Sequence, residues 1–273
     1  LAPQRSFTLQ PITLITGASS GIGAAFARVF AAHGHDLVLV ARRESALSAV
    51  AEDIAATGRP RPQVLAADLA APEGADRLAA ALAAHGLEPA VVVNNAGFGL
   101  RGAAADLDRA EQLAMIDLNV RALTDLSLRF IPGLKRHRGG IINVASLAGF
   151  FPGPGMAVYF ASKAYVLSFS EALHRELKPQ GVRVTVVCPG PVPTEFQARA
   201  GISEALPPVL TLSSERVARQ AYEGFMSGRR LIVPGLSNKV ACVLPRLLPR
   251  ALVVRLLDAY QMKAAAAVPR TDG

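Results

Sequence analysis

Seven short, largely apolar runs, at 12–16, 37–40, 64–66, 91–93, 141–144, 182–187 and 231–233, are separated by longer stretches of helical period. A strand with one face in water alternates apolar and polar residues. A strand apolar on both faces is covered on both, which is the condition of a parallel sheet. The stretches 21–32, 44–56, 72–84, 108–136 and 157–177 supply the crossovers, and right-handed crossovers wind helices onto both faces. The expected fold is therefore α/β: a single domain over 1–273 with a doubly wound parallel sheet of about seven strands. Its site is expected at the carboxyl ends of the strands. Pro132 is expected to kink or end the long fourth helix. Beyond Pro189 the prolines at 189, 191, 193, 207 and 208 break the pattern. There, 190–230 reads as a loop-rich substrate lid and 235–273 as a basic, apolar C-terminal extension.

The net charge is +8, yet no basic run of nucleic-acid type appears. The excess reads as surface arginine, with no nucleic-acid partner. Two cysteines, Cys188 and Cys242, form neither a disulfide framework nor a metal-ligand spacing. His33-Gly34-His35 reads as a helix terminus, so no metal is expected. Residues 1–10 lack the apolar core of a secretory signal, and no apolar run is long enough to span a bilayer. A cytoplasmic protein without a transmembrane segment is expected.

The chemistry is carried by short motifs at strand ends. Thr16-Gly17-Ala18-Ser19-Ser20-Gly21-Ile22-Gly23 follows the first strand and opens a helix. Glycines there let the backbone turn and approach a pyrophosphate, and the helix N-terminus supplies N–H donors. Its spacing departs from G-x-G-x-x-G, and an ordinary glycine-rich turn is the alternative. Strand two ends in Ala41-Arg42-Arg43, with no carboxylate for the ribose 2′-hydroxyl of NAD. Two guanidiniums suit the 2′-phosphate of NADP(H) in preference to NAD(H), unless they are merely solvated charges. Asp68-Leu69 ends strand three, as an adenine acceptor or a simple turn. Asn94-Asn95-Ala96-Gly97 follows strand four, where small residues admit a flat ligand or form a turn. Tyr159 and Lys163 stand four apart on one helix face. An ammonium there favours the phenolate and is expected to lower the phenol toward working pH. Ser146, just past strand five, is placed to hydrogen-bond the same carbonyl oxygen.

Together these residues, with Asn119 and Pro189-Gly190-Pro191-Val192-Pro193-Thr194, resemble the short-chain dehydrogenase/reductase family over about 12–233. The resemblance implies a Rossmann-type fold and a hydride transfer between NADP(H) and a carbonyl or secondary alcohol. It implies that Tyr159 moves the proton, Ser146 orients the oxygen, and Lys163 holds the nicotinamide ribose. Asn119 would hold a helix kink and a water linking Lys163 to solvent. Pro189, Gly190, Val192 and Thr194 would fix the nicotinamide, and Asn95, Ala96 and Gly97 would line the adenosine-ribose side. The segments 37–43 and 165–173 are similar to an NADP-preferring bacterial subgroup, ketoacyl-reductase- or hydroxysteroid-dehydrogenase-like. Three departures stand out: Ser20 replaces a basic residue common in NADP-dependent members, Pro193 stiffens a loop that usually moves, and the tail after Pro234 lies beyond the match.

The alternative is a cofactor-binding sensor or scaffold without turnover; an intact Ser146, Tyr159 and Lys163 argue against it. Phe98, Phe150, Phe151, Met156, Val158 and Phe196 flank the expected pocket, so an apolar ketone or 3-oxoacyl-like substrate is expected unless they only pack. A homodimer or homotetramer is expected through Leu126, Phe130, Leu167 and Phe169. The apolar, arginine-bearing tail 240–263 yields no clean polar face on a helical wheel. It is therefore expected to pack on its own protein, over the pocket or at a subunit contact, in preference to a membrane surface.

Overall fold

Strands β1 (Gln10–Thr16), β2 (Leu37–Ala41), β3 (Gln63–Ala66), β4 (Leu87–Asn94), β5 (Gly140–Val144), β6 (Arg183–Val187) and β7 (Leu231–Ile232) form one parallel sheet of order β3-β2-β1-β4-β5-β6-β7. The computed structural model describes residues 9–202, 208–243 and 248–266, with side chains to residue 259. From β1 the chain winds outward to β3, then returns to place β4 beside β1 on its other edge. This reversal opens a crevice at the carboxyl ends of β1 and β4, where a doubly wound sheet takes its ligand.

Each sheet face has its own core. Helices α1 (Gly21–Ala32) and α2 (Glu44–Ala55) cover one face with Phe26, Phe30, Leu47 and Ile54. The other face is covered by α3 (Gly74–Ala84), α5 (Leu123–Arg129), α6 (Ile131–Arg136) and α7 (Ala157–Leu177), through Leu78, Leu126, Leu134 and Leu173. Both faces of the central strands are thus dry, as their unbroken apolar runs require.

The single long helix expected over 108–136 is instead a chain of short ones. Asp108 caps α4 (Arg109–Ile116) by accepting from the Glu111 amide. A π-helical stretch, Asp117–Ala122, then joins α4 to α5. The break before α6 falls at Phe130, and Pro132 sits in the first turn of α6, where its missing N–H has no intrahelical partner to lose.

The expected lid at 190–230 also divides. The short helix α8 (Glu195–Ala200) borders the crevice, but α9 (Ser214–Met226) belongs to the scaffold. Val217, Ala218, Ala221, Tyr222 and Phe225 of α9 are buried against α1 and the sheet. Their spacing is that of a helix face; the flanking prolines do not interrupt it. Helices α10 (Leu236–Val243) and α11 (Arg250–Ala266) follow β7; Pro245 and Arg246 of the tail lie outside the described residues. The expected apolar assembly patch needs correction. Leu126 and Leu167 are buried within their own chain, and the large apolar side chains that α4, α5 and α7 expose are Leu113, Ile116, Leu128 and Tyr165.

Candidate active site

The crevice is a cavity of about 1380 Å³, larger than a pocket for one small molecule. Ser146, Tyr159, Lys163, Arg42, Arg43 and most of the glycine loop line it, whereas Gly23 and Asn119 act from behind the wall.

The glycine loop is tight and stitched to β4. Gly17 has φ +65°, and a Cβ on Gly23 would lie 2.1 Å from the Gly17 carbonyl oxygen. The Thr16 hydroxyl donates to the Val93 carbonyl and accepts from the amides of Asn95 (3.0 Å) and Ala96 (3.1 Å). The Asn95 Nδ2 donates back to the carbonyls of Thr16 and Gly17. Thr16, the first residue of the glycine motif, is thus a clamp whose role only the fold reveals. No side chain caps the N-terminus of α1, and its first turn carries no acidic residue. Its amide donors are left for an anion at the cavity wall. The glycine cradle and this uncapped helix end fit a pyrophosphate.

Arg42 and Arg43 border the same cavity at the tip of β2. Arg43 is not idle. Its Nη2 donates to Glu195 Oε2 at 2.5 Å, and that oxygen also accepts from Ser20 Oγ at 3.1 Å. The Arg43 guanidinium holds the Glu195 carboxyl below the usual carboxylate range. Asp68 lines the cavity and closes a turn, accepting from the Ala70 amide. Leu69 and Val192 line the cavity from the buried side and pack into the core.

Ser146 leaves β5 and caps a 3-10 turn, accepting from the Ala148 amide at 3.1 Å. Tyr159 and Lys163 stand on the first turns of α7, with the Lys163 Nζ 5.8 Å from the Tyr159 ring centre. Lys163 is buried and donates to the Val144 carbonyl at 2.9 Å. Burial pushes the Tyr159 phenol up to about 12, against the opposing hydrogen bond of Ser146. Burial likewise pulls Lys163 down to about 8. The lowering of Tyr159 expected from Lys163 is therefore not met: desolvation disfavours the charged forms of both groups. Cys188, just past β6, is a buried core thiol that burial pushes up and keeps protonated.

Asn119 lies in the π-helical stretch, as expected for a helix distortion, and its side chain clamps the backbone of Phe98. Its Oδ1 accepts from the Phe98 amide at 3.1 Å, and its Nδ2 donates to the Phe98 carbonyl at 2.9 Å. A third bond runs from Nδ2 to Ser162 Oγ, which donates to the Tyr159 carbonyl. Asn119 thereby ties the end of β4 to the start of α7.

Phe98, Phe151, Met156 and Phe196 face the cavity as expected. Phe150 packs instead on the core cluster that includes Cys188, and Val158 does not reach the cavity. The tail contributes a wall that sequence alone left open: Ala241, Leu248, Val253, Leu256 and Leu257 line the cavity. Among the described residues, no helix is long and apolar enough to cross a membrane.

The family model described as short chain dehydrogenase matches residues 11–204. Sulfoacetaldehyde reductase of Chromohalobacter salexigens is 39% identical over 217 residues, covering 76% of this chain and 85% of its own. Very-long-chain 3-oxoacyl-CoA reductase of Phaeosphaeria nodorum is 37% identical over 179 residues, 64% of this chain and about half (52%) of its own. Among solved structures, a short-chain dehydrogenase from Sphingobium yanoikuyae in complex with NADPH superposes with TM-score 0.77 at 33% identity, covering 96% of this chain and 98% of that one. A short chain dehydrogenase/reductase from Burkholderia phymatum in complex with NAD superposes with TM-score 0.76 at 27% identity, covering 88% and 94%.

Proposed function

The chain belongs to the short chain dehydrogenase family of oxidoreductases, and from that premise we propose that it reduces an apolar carbonyl compound to a secondary alcohol with NADPH, or runs the reverse reaction with NADP. The observation that carries this reading is the convergence of Ser146, Tyr159 and Lys163 on one cavity with the glycine loop and two arginines.

The residues divide the work by chemistry. The glycine loop, the amides of α1 and the arginine pair bind an anionic dinucleotide. The cofactor, when bound, supplies or accepts the hydride at carbon. The phenol of Tyr159 stays protonated throughout the neutral range, so it is an acid ready to protonate the carbonyl oxygen. The Ser146 hydroxyl, beside that phenol, orients the oxygen and donates to the charge developing on it. Lys163 lies behind the phenol with its ammonium pulled toward neutral pH, where it can hand on a proton. Asn119 fixes the backbone that separates β4 from α7 and so sets the distance between the two halves of the site.

NADP(H) is favoured over NAD(H) because Arg42 and Arg43 stand at the tip of β2 with no carboxylate beside them on that strand. The substrate class follows from the walls. Phe98, Phe151, Met156 and Phe196, together with the α11 leucines, suit a bulky ketone or 3-oxoacyl thioester better than a small sulfonate. We place the protein in the cytoplasm, where two buried free thiols are stable. We also place it in a homodimer or homotetramer, in which the exposed Leu113, Ile116, Leu128 and Tyr165 are covered.

The test is NADPH oxidation against a panel of aryl ketones, 3-oxoacyl thioesters and sulfoacetaldehyde, run on the native chain and on Arg42→Ala and Arg43→Ala. Turnover of a bulky ketone is expected. The NADPH-to-NADH ratio of kcat/KM should fall with each arginine by about 1.5–3 kcal/mol. An unchanged ratio refutes the cofactor assignment, and preference for sulfoacetaldehyde refutes the substrate class.

A further inference from the structure

The cofactor reading leaves one feature of the cavity unexplained. At the mouth, a carboxylate from the lid already sits on the groups that a 2′-phosphate would need. Glu195 opens α8, directly after Thr194, the residue whose side chain caps that helix. Thr194 touches the glycine loop: a Cβ on Gly21 would lie 2.9 Å from Thr194 Cγ2. From there Glu195 reaches across the cavity mouth. Its Oε2 accepts from Arg43 Nη2 and Ser20 Oγ, and the same Nη2 lies 3.5 Å from Ser19 Oγ. Ser19, Ser20, Arg43 and Glu195 all line the cavity.

The recognition chemistry is that of a phosphate: a guanidinium and the Ser20 hydroxyl gathered on one anion, with the Ser19 hydroxyl accepting from the same guanidinium nitrogen. Here the anion is internal. Both members of the ion pair are more than half exposed, at 54% and 61% of their side-chain surface. A pair this wet is weak and exchangeable. A phosphate dianion offers more acceptor oxygens and more charge to the same donors. A ribose hydroxyl, the corresponding group of NAD(H), carries no charge with which to displace a carboxylate.

We propose that Glu195 is a cofactor-discriminating residue, whose carboxylate occupies the 2′-phosphate position on Arg43 and Ser20 and is displaced when NADP(H) binds. This rests on the assignment of Arg43 to the 2′-phosphate and deepens it. Two consequences follow. Glu195 opposes NADP(H) while leaving NAD(H) little to displace, so it narrows the cofactor preference that the arginines create. Because Glu195 begins α8, NADP(H) also unfastens the lid from β2, whereas NAD(H) leaves it tied.

The experiment is direct cofactor binding by nicotinamide fluorescence, on the native chain, Glu195→Gln, Arg43→Ala and the double variant. Glu195→Gln is expected to tighten NADPH relative to NADH by about two- to fivefold, the worth of an exposed ion pair. In the Arg43→Ala background the same substitution should leave the NADPH-to-NADH ratio where it was, since the contested donor is gone. Limited proteolysis within 195–210 should accelerate with NADPH and not with NADH in the native chain. Two results overturn the proposal: Glu195→Gln weakening NADPH, or shifting both cofactors equally. The underlying cofactor reading fails separately, if Arg43→Ala and Arg42→Ala leave the ratio of the native chain unchanged. A ratio that responds to both arginines and not to Glu195 sinks the gate alone.

Discussion

Replacing Lys163 by methionine should abolish turnover and yet make the protein more stable near neutral pH. Lys163 is buried at 5% exposure and donates to the Val144 carbonyl. Burial lowers the ammonium from its ordinary 10.5 to about 8. That difference corresponds to a cost of about 3 kcal/mol for folding with the charge in place. Methionine fills similar space without a charge. It leaves the Val144 carbonyl without its donor, at about 1–3 kcal/mol. The balance is a gain of about 1 kcal/mol, or ~2–4 °C in Tm for a domain of this size. The sign depends on pH. Below about 8 both folded and unfolded chains carry the ammonium and the folded chain bears the full cost. As pH rises from 8 toward 10.5 the folded chain sheds the proton first, and the cost fades; above 10.5 it is gone. Tyr159 titrates in both proteins, so its contribution cancels in the difference. The assay is denaturant unfolding of both chains without added cofactor at pH 7, 8.5, 9.5 and 10.5. Lys163→Met should lead at pH 7, lose its lead through that window and trail at the top of it. A variant less stable at pH 7, or one whose difference is flat with pH, would refute a desolvated lysine at this position.

Tyr159→Phe should fold and bind NADPH but lose about 10²–10⁴ in kcat, because only the proton donor is removed; near-native turnover would dismiss Tyr159 as the acid. Asn119→Leu strands the Phe98 amide and carbonyl and should cost at least about 1–3 kcal/mol in denaturant unfolding, with turnover falling alongside. The native chain should sediment as a dimer or tetramer, and Leu128→Asp should shift it toward monomer; a monodisperse native monomer at high concentration contradicts the proposed assembly face. Deleting everything after Gly235 removes the α11 wall of the cavity and should raise KM for bulky ketones. Intact soluble activity with loss of liposome co-sedimentation would instead make the tail a membrane anchor.

What the sequence made legible was local. Tyr159 and Lys163 are one helical turn apart, and the glycine loop is eight consecutive residues, so spacing alone brings each group together. The same locality gave the strands, because a doubly covered strand needs nothing but an apolar run. The failures share the opposite cause. The sign of the Tyr159 shift depends on how completely the fold excludes water, which spacing does not encode. Leu126 and Leu167 look like an assembly face only until the sheet is in place to bury them. Phe98 and Asn119 are 21 positions apart, and their backbone clamp needs the β4 end and the π-helical stretch to meet. The Arg43–Glu195 bridge spans 152 positions.

The long-range contacts are also those that distinguish this chain chemically from another built on the same motifs. In the proposed reaction Ser146, Tyr159 and Lys163 provide the proton chemistry, and nothing in their arrangement selects a cofactor or a ketone. Selection is proposed to fall to side chains that arrive from elsewhere: Glu195 from the lid onto Arg43, and the leucines of α11 onto the cavity wall. Such residues sit on exposed or terminal elements, which change sequence at little cost to the two cores. Reaction class is therefore written into the strand ends, where the scaffold holds it. On the function proposed above, cofactor and substrate choice fall to α8 and the tail, so substitutions there should alter what the enzyme reduces while those behind Asn119 alter whether it folds.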